Sequence, residues 1–145
     1  MTRPVTRAGR ADIVWAGGMP LEQAGRRGLP AAGVYVLERG GTPLYVGKAG
    51  RFRGRLPAHV RRFGRDGVTV RFGRIAAASD TLVRTAEHTV IRALMRAGFA
   101  LRNRSSVRPF RVESGRPVVV RSHGERPRYV PEQVVVAGAG ARYES

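Results

Sequence analysis

Two short runs of aromatic and β-branched residues, Gly33-Val34-Tyr35-Val36-Leu37 and Pro43-Leu44-Tyr45-Val46-Gly47, flank Glu38-Arg39-Gly40-Gly41. Such runs suit a pleated, largely buried surface. A Gly-Gly pair supplies the positive φ that a tight hairpin turn requires. The segment therefore predicts an antiparallel hairpin, and the remaining chain has to be arranged around it.

Upstream, Met1 to Asp12 is polar and basic and reads as a frayed arm. Pro20-Leu21-Glu22-Gln23-Ala24 predicts a short helix with proline at an early position, ended by Gly28 and Pro30. Downstream, Phe52, Leu56, His59, Val60 and Phe63 recur at helical steps. A start near Gly54 or Arg55 keeps Pro57 in the tolerant first turn. Val68 to Phe72 alternates and predicts a third strand. Ser79-Asp80 can cap a second long helix, whose stripe runs through Leu82, Val83, Ala86, Val90, Ile91, Leu94 and Met95 to a stop at Gly98. Phe110-Arg111-Val112 and Pro117-Val118-Val119-Val120 suggest a second hairpin, and Val134-Val135-Val136 an edge strand. The expected fold is α+β: a small three-stranded, mostly antiparallel sheet flanked by helices, with a β-rich C-terminal extension. At 145 residues a single domain is expected. It divides into an arm and short helix over 1–30, a core over 31–104 and the extension over 105–145.

Charge limits the partners. There are 27 Lys+Arg against 10 Asp+Glu, for a formal net charge of +17. A field of that sign concentrates polyanions, and nucleic acid gains affinity as each neutralised phosphate releases counterions. Lys48 is the only lysine; a GC-rich coding sequence would account equally well for the preference for arginine. Cysteine is absent, which removes disulfides, thiolate metal sites and a thiol nucleophile. No apolar run reaches the ~18–20 residues of a membrane helix, and the first residues lack the apolar core of a signal peptide.

Gly33-Val34-Tyr35, nine intervening residues and then Tyr45-Val46-Gly47 resembles the paired signature of the GIY-YIG nuclease superfamily. Tyr45-Val46-Gly47-Lys48-Ala49 followed by Arg55-Leu56 is similar to the incision domain of bacterial excision-repair nucleases. Arg55 and His59 lie four apart, Glu87 falls inside the long helix, and Asn103 matches the family's downstream Asn. The resemblance spans about half of the chain, Gly33 to Asn103. The sixteen-residue interval from Glu87 to Asn103 is longer than in close relatives, with Gly98-Phe99-Ala100 resembling a small insertion.

The resemblance implies hydrolysis of DNA phosphodiesters around one metal ion, leaving 5′-phosphate and 3′-hydroxyl ends. It implies Glu87 as the ligand of Mg²⁺ or Mn²⁺ and Tyr35 as the base that activates water. His59 or Lys48 would assist, Tyr45 would position water or phosphate, and Arg55 would grip the scissile phosphate. The chemistry is reasonable on its own terms. A hard divalent cation accepts one carboxylate and keeps water and substrate oxygens for the rest of its shell, and Glu87 is the only acid between Asp80 and Glu113. A guanidinium fork matches two phosphate oxygens. Each residue also has a plainer reading: Glu87 as an ion-pair partner, Tyr35 and Tyr45 as core, and Lys48, Arg55 and His59 as a solvated basic face. Arg51, Arg53, Arg61, Arg62 and Asn103 are candidates for backbone contact with nucleic acid. A catalytically silent binding module is the competing expectation, and RNA stays open as a ligand. The setting could be repair, a phage enzyme or a toxin restrained by an acidic immunity protein, acting in the cytoplasm or in a target cell.

Overall fold

The computed structural model describes residues 10–30, 32–76, 79–103 and 118–136. The sheet is larger than expected. Instead of three strands it has seven, mixed in direction and curled, with three helices among the described residues. The strands are β1 (Arg10–Trp15), β2 (Met19–Pro20), β3 (Gly33–Arg39), β4 (Thr42–Lys48), β5 (Val68–Ile75), β6 (Val118–Gly124) and β7 (Gln133–Val136). Their order is β4-β3-β5-β1-β6-β7, and β2 pairs with the part of β5 that β1 leaves open. The helices are α1 (Leu21–Arg27), α2 (Phe52–Phe63) and α3 (Asp80–Arg96).

The expected three strands survive as the β4-β3-β5 portion of this sheet. The first correction is β1. Arg10 to Asp12, the end of the expected frayed arm, open a strand with Ala11, Ile13 and Trp15 buried, while residues 1–9 lie outside the described residues. Arg10 before them and Asp12 between the first two hide a period-two pattern. The second correction is β6, which runs parallel to β1 from Arg10↔Val119 to Trp15↔Gly124. A parallel pairing across that sequence distance leaves no local trace. The proposed Phe110-Arg111-Val112 strand and the last residues, 137–145, lie outside the described residues.

β3 is central and buried on both faces, so its run is apolar almost throughout. Val34 and Val36 meet α3 together with Ile13, Trp15, Val90 and Leu94. Tyr35 and Leu37 face the opposite layer, with Leu21, Phe52, Phe63 and Val70. Glu38 is a strand residue rather than part of the turn. It is buried, paired with Arg71 at 2.8 Å and receives a hydrogen bond from the Tyr129 hydroxyl. The hairpin turns at Gly40 and Gly41, with φ of 57° and 83°.

α3 begins as expected, with the Ser79 hydroxyl accepting from the Leu82 amide at 3.1 Å. Met95 falls outside its buried stripe and is exposed. α2 starts earlier than expected, at Phe52, after a short 3-10 turn over Ala49–Arg51. Pro57 is therefore inside the helix, where it leaves the Arg53 carbonyl without its usual donor.

Gly33 has no room for a side chain. A Cβ there would stand 2.3 Å from the Gly73 carbonyl oxygen and 2.7 Å from the Phe72 ring. Backbone cannot yield as a flexible side chain can. Gly33→Ala is expected to cost about 2 kcal/mol through overpacking, measured as a lower urea midpoint at an unchanged m value.

Candidate active site

The site forms around β4, an edge strand with α2 against one face and α3 against the other. Tyr35 lies opposite Gly47 in the β3–β4 register. A Cβ at Gly47 would be 2.6 Å from the Tyr35 hydroxyl oxygen, so only glycine lets the phenol lie across β4. α2 then folds back over the hairpin. Its Phe52, His59 and Phe63 share the buried face, and the His59 Nε2 meets the Tyr35 hydroxyl at 2.8 Å. The Phe52 ring stands edge-on to Tyr35 at 5.0 Å, and the Tyr45 ring lies 4.7 Å from His59.

In front of this cluster a cleft of about 780 Å³ opens. β4 contributes Tyr45, Gly47 and Lys48, and α3 contributes Glu87. Arg51 and the α2 residues Arg55, Arg61 and Arg62 form the basic wall. Arg102 and Asn103 close the far side. Asn103 clamps the free edge of β4: its side-chain oxygen accepts from the Val46 amide at 3.0 Å, and its nitrogen donates to the Val46 carbonyl at 2.6 Å. The Arg102 amide donates to Leu44 at 2.8 Å, so residues 102 and 103 together continue the ladder.

Of the expected catalytic residues, Tyr45, Lys48, Arg55 and Glu87 line the cleft. Tyr35 and His59 do not. They are buried at 0% and 4% exposure, directly behind Gly47 and Tyr45. Of the expected binding residues, Arg51, Arg61, Arg62 and Asn103 reach the cleft, and Arg53 points instead toward Gly28 at the end of α1. Asn103 is half-buried, and its amide is occupied with backbone, so it acts on β4. Arg102 and Arg84 were not singled out from the sequence. Arg102 lines the cleft, and Arg84 lies one helical turn before Glu87. The charge pattern of α3 carried the signal for Arg84, and adjacency to Asn103 the one for Arg102.

Burial dominates the titration of the cluster. It pushes the Tyr35 phenol well above its ordinary range, with Tyr45 adding to the rise and Arg55 opposing it. Burial likewise raises Tyr45 against the pull of Arg55. His59 is lowered to about 4, by burial first and then by Arg55 and Arg62. At neutral pH the pair is thus a phenol and an uncharged imidazole. Glu87 is raised by burial, while Lys48, Arg51, Arg55 and Arg84 draw it back down.

No group of three or more His, Cys, Asp or Glu that could hold a metal occurs among the described residues. Glu87 alone is a hard oxygen donor, and the cleft beside it is wide enough for water and phosphate. That donor set fits a divalent cation that arrives with its waters and shares a phosphate. It does not fit one caged by protein. No helix among the described residues is long and apolar enough to cross a membrane. No family model matches the chain, and no solved structure matches it. The likeness read from Gly33 to Asn103 therefore rests on those residues themselves.

Asn103→Ala removes two hydrogen bonds at a half-buried strand edge, at about 1 kcal/mol each. A loss of about 1–2 kcal/mol is expected, with faster amide exchange at Val46 as the local readout. His59 gives a pH signature. Unfolded, it titrates near ~6.5; folded, it titrates near about 4. Between these values the unfolded chain binds the extra proton, so stability falls as pH drops. Glu87, raised by burial, acts in the opposite sense. Subtracting the unfolding free energy of His59→Asn from that of the parent isolates the histidine. The difference should shrink as the pH is lowered from 7 to 4.5.

Proposed function

We propose that the chain is a metal-dependent endonuclease of the GIY-YIG type that hydrolyses DNA phosphodiesters. The observation that carries this reading is the single carboxylate, Glu87, in a cleft otherwise lined by Lys48, Arg51, Arg55, Arg61, Arg62 and Arg102. Six cations and one acid suit an anionic backbone, and the lone acid is the one feature that plain polyanion binding does not need. The fork of Arg55 takes the scissile phosphate, and Arg51, Arg61 and Arg62 hold its neighbours along the strand. Glu87 would hold Mg²⁺ or Mn²⁺, which would supply positive charge against the charge that develops at the phosphate. The surrounding cations disfavour a divalent ion by itself, so phosphate and metal would enter together.

Water activation runs through Tyr35. Its phenol is too strongly raised by burial to lose a proton in advance, but His59 is uncharged and hydrogen-bonded to it. As the water oxygen bonds to phosphorus, its proton passes to the Tyr35 oxygen and the phenol proton passes to His59 Nε2. The P–O3′ bond breaks and the 3′ oxygen is protonated from solvent, leaving 5′-phosphate and 3′-hydroxyl ends. Gly47 lines the cleft and, having no side chain, lets the Tyr35 hydroxyl approach it from behind, so water would reach the buried phenol only past Gly47 and Tyr45. Tyr45 and Lys48 orient the water and the phosphate from the cleft side.

One observation favours a second reading. The full burial of Tyr35 would equally suit a binding module that retains this geometry without chemistry. The same proposal covers the setting: a repair or phage enzyme of the cytoplasm, or a toxin whose acidic immunity protein covers the basic cleft. RNA would meet the same wall of arginines.

Glu87→Gln tests the assignment. Cleavage of plasmid in Mg²⁺ is expected to fall by about 100-fold or more. DNA affinity in chelator should hold or rise, because one negative charge leaves a basic cleft. Cleavage at the parent rate, or no metal-dependent cleavage by the parent, would sink the nuclease reading; the latter outcome favours the binding module.

A further inference from the structure

A second cavity, of about 520 Å³, lies on the other flank of α2, between it and α1. Its floor is apolar: Leu21 from α1, and Leu56, Pro57 and Val60 from α2. α1 approaches α2 closely at Gly25, where a Cβ would stand 2.9 Å from the Leu56 side chain. The rim carries Arg26, Arg61 and Arg65, against Glu22 as the groove's acid. Glu22 is already paired with Arg26 at 3.0 Å. The cavity is therefore greasy below and positive above, and nothing in the phosphodiester chemistry uses it.

Its placement identifies the occupant. Arg61 lines both this groove and the catalytic cleft. α2 is thus a ridge about 10 Å wide, with phosphate-gripping residues on one side and an apolar trough on the other. A strand whose phosphates follow Arg55 and Arg62 would run along the ridge that Arg61 joins to that trough. Bases locked in a duplex cannot enter it, whereas unpaired bases can bury their flat faces on the aliphatic floor and stack on guanidinium planes. The positive rim complements a ligand that carries its own phosphates.

We propose that the groove between α1 and α2 binds the unpaired bases of the nucleic-acid strand whose backbone occupies the cleft. The inference rests on the nucleic-acid half of the reading above and is independent of cleavage. It makes Leu56, Pro57 and Val60 the base-contacting surface and Arg61 the link between the two sites.

The test is binding in chelator, by fluorescence anisotropy, with three probes that share one duplex: blunt, with a short single-stranded tail, and with the same tail made of abasic spacers. Tails are placed on the 5′ or the 3′ end, in DNA and in RNA, so that polarity and sugar preference are read in the same series. The base-bearing tail should bind about fivefold or more tighter than the abasic one, the gain from burying roughly 40 Å² of base face on the apolar floor, although both carry the same phosphates. Pro57→Glu, at an exposed position and with a better helix former, should abolish that ratio without unfolding the chain. Leu56→Ser should do the same, with thermal melting confirming the fold. Equal binding of base-bearing and abasic tails overturns the proposal and leaves the groove to a protein helix. A ratio that persists in both variants also overturns it. A parent that discriminates bases but does not cut in Mg²⁺ sinks the nuclease reading alone. One that cuts without discriminating sinks this inference alone.

Discussion

The missing side chain at Gly47 is the constraint on which the site depends. Because Gly47 stands opposite Tyr35, the phenol can lie flat across the edge strand instead of projecting from it. That posture gives α2 a surface to close on, and His59 completes the layer with a hydrogen bond in place of solvent. Once α2 is seated, its opposite side has to carry the arginines, and the cleft wall follows. Packing beneath and charge above are therefore two faces of one helix.

The electrostatics repeat that division. Behind Gly47 low exposure keeps a phenol and an imidazole uncharged. In front, fixed cations crowd a carboxylate that burial would otherwise tend to protonate. In the proposed reaction the proton taken from water would end on His59, so this layer starts neutral and finishes with an imidazolium, while the ionic wall would hold the phosphates.

How much of this was legible in the sequence depended on range. Gly40-Gly41, the alternation of β5 and the Ser79 cap are local signals, and the corresponding elements are present. β1 was missed because Arg10 and Asp12 masked the rhythm of Ala11, Ile13 and Trp15. β6 was seen as extended chain, but its parallel docking on β1 has no sequence signature, and so the sheet was expected to be less than half its width. Tyr45, Lys48, Arg55 and Glu87, which the family resemblance points to, line one cleft. Spacing could not show that Tyr35 and His59 lie behind the floor, because a strand pattern does not say which neighbour covers which face. Arg53 differs for a similar reason: on a helix crowded with arginines, only the rotation of the helix separates those that line the cleft from the one that turns to Gly28.

The parallel β1–β6 pairing bears on how the chain reaches this shape during synthesis. The hairpin, β5 and the helices draw on neighbouring residues and can consolidate while translation continues. β1 can zip onto β5 on one side, but its other edge must wait until residues 118–124 have been made. In that interval an early strand bearing Ile13 and Trp15 presents open backbone hydrogen-bonding groups, the kind of exposure that invites mispairing between chains. The later β6 thus closes the earlier β1, and the rate of that closure limits how long a nascent chain stays vulnerable to its neighbours.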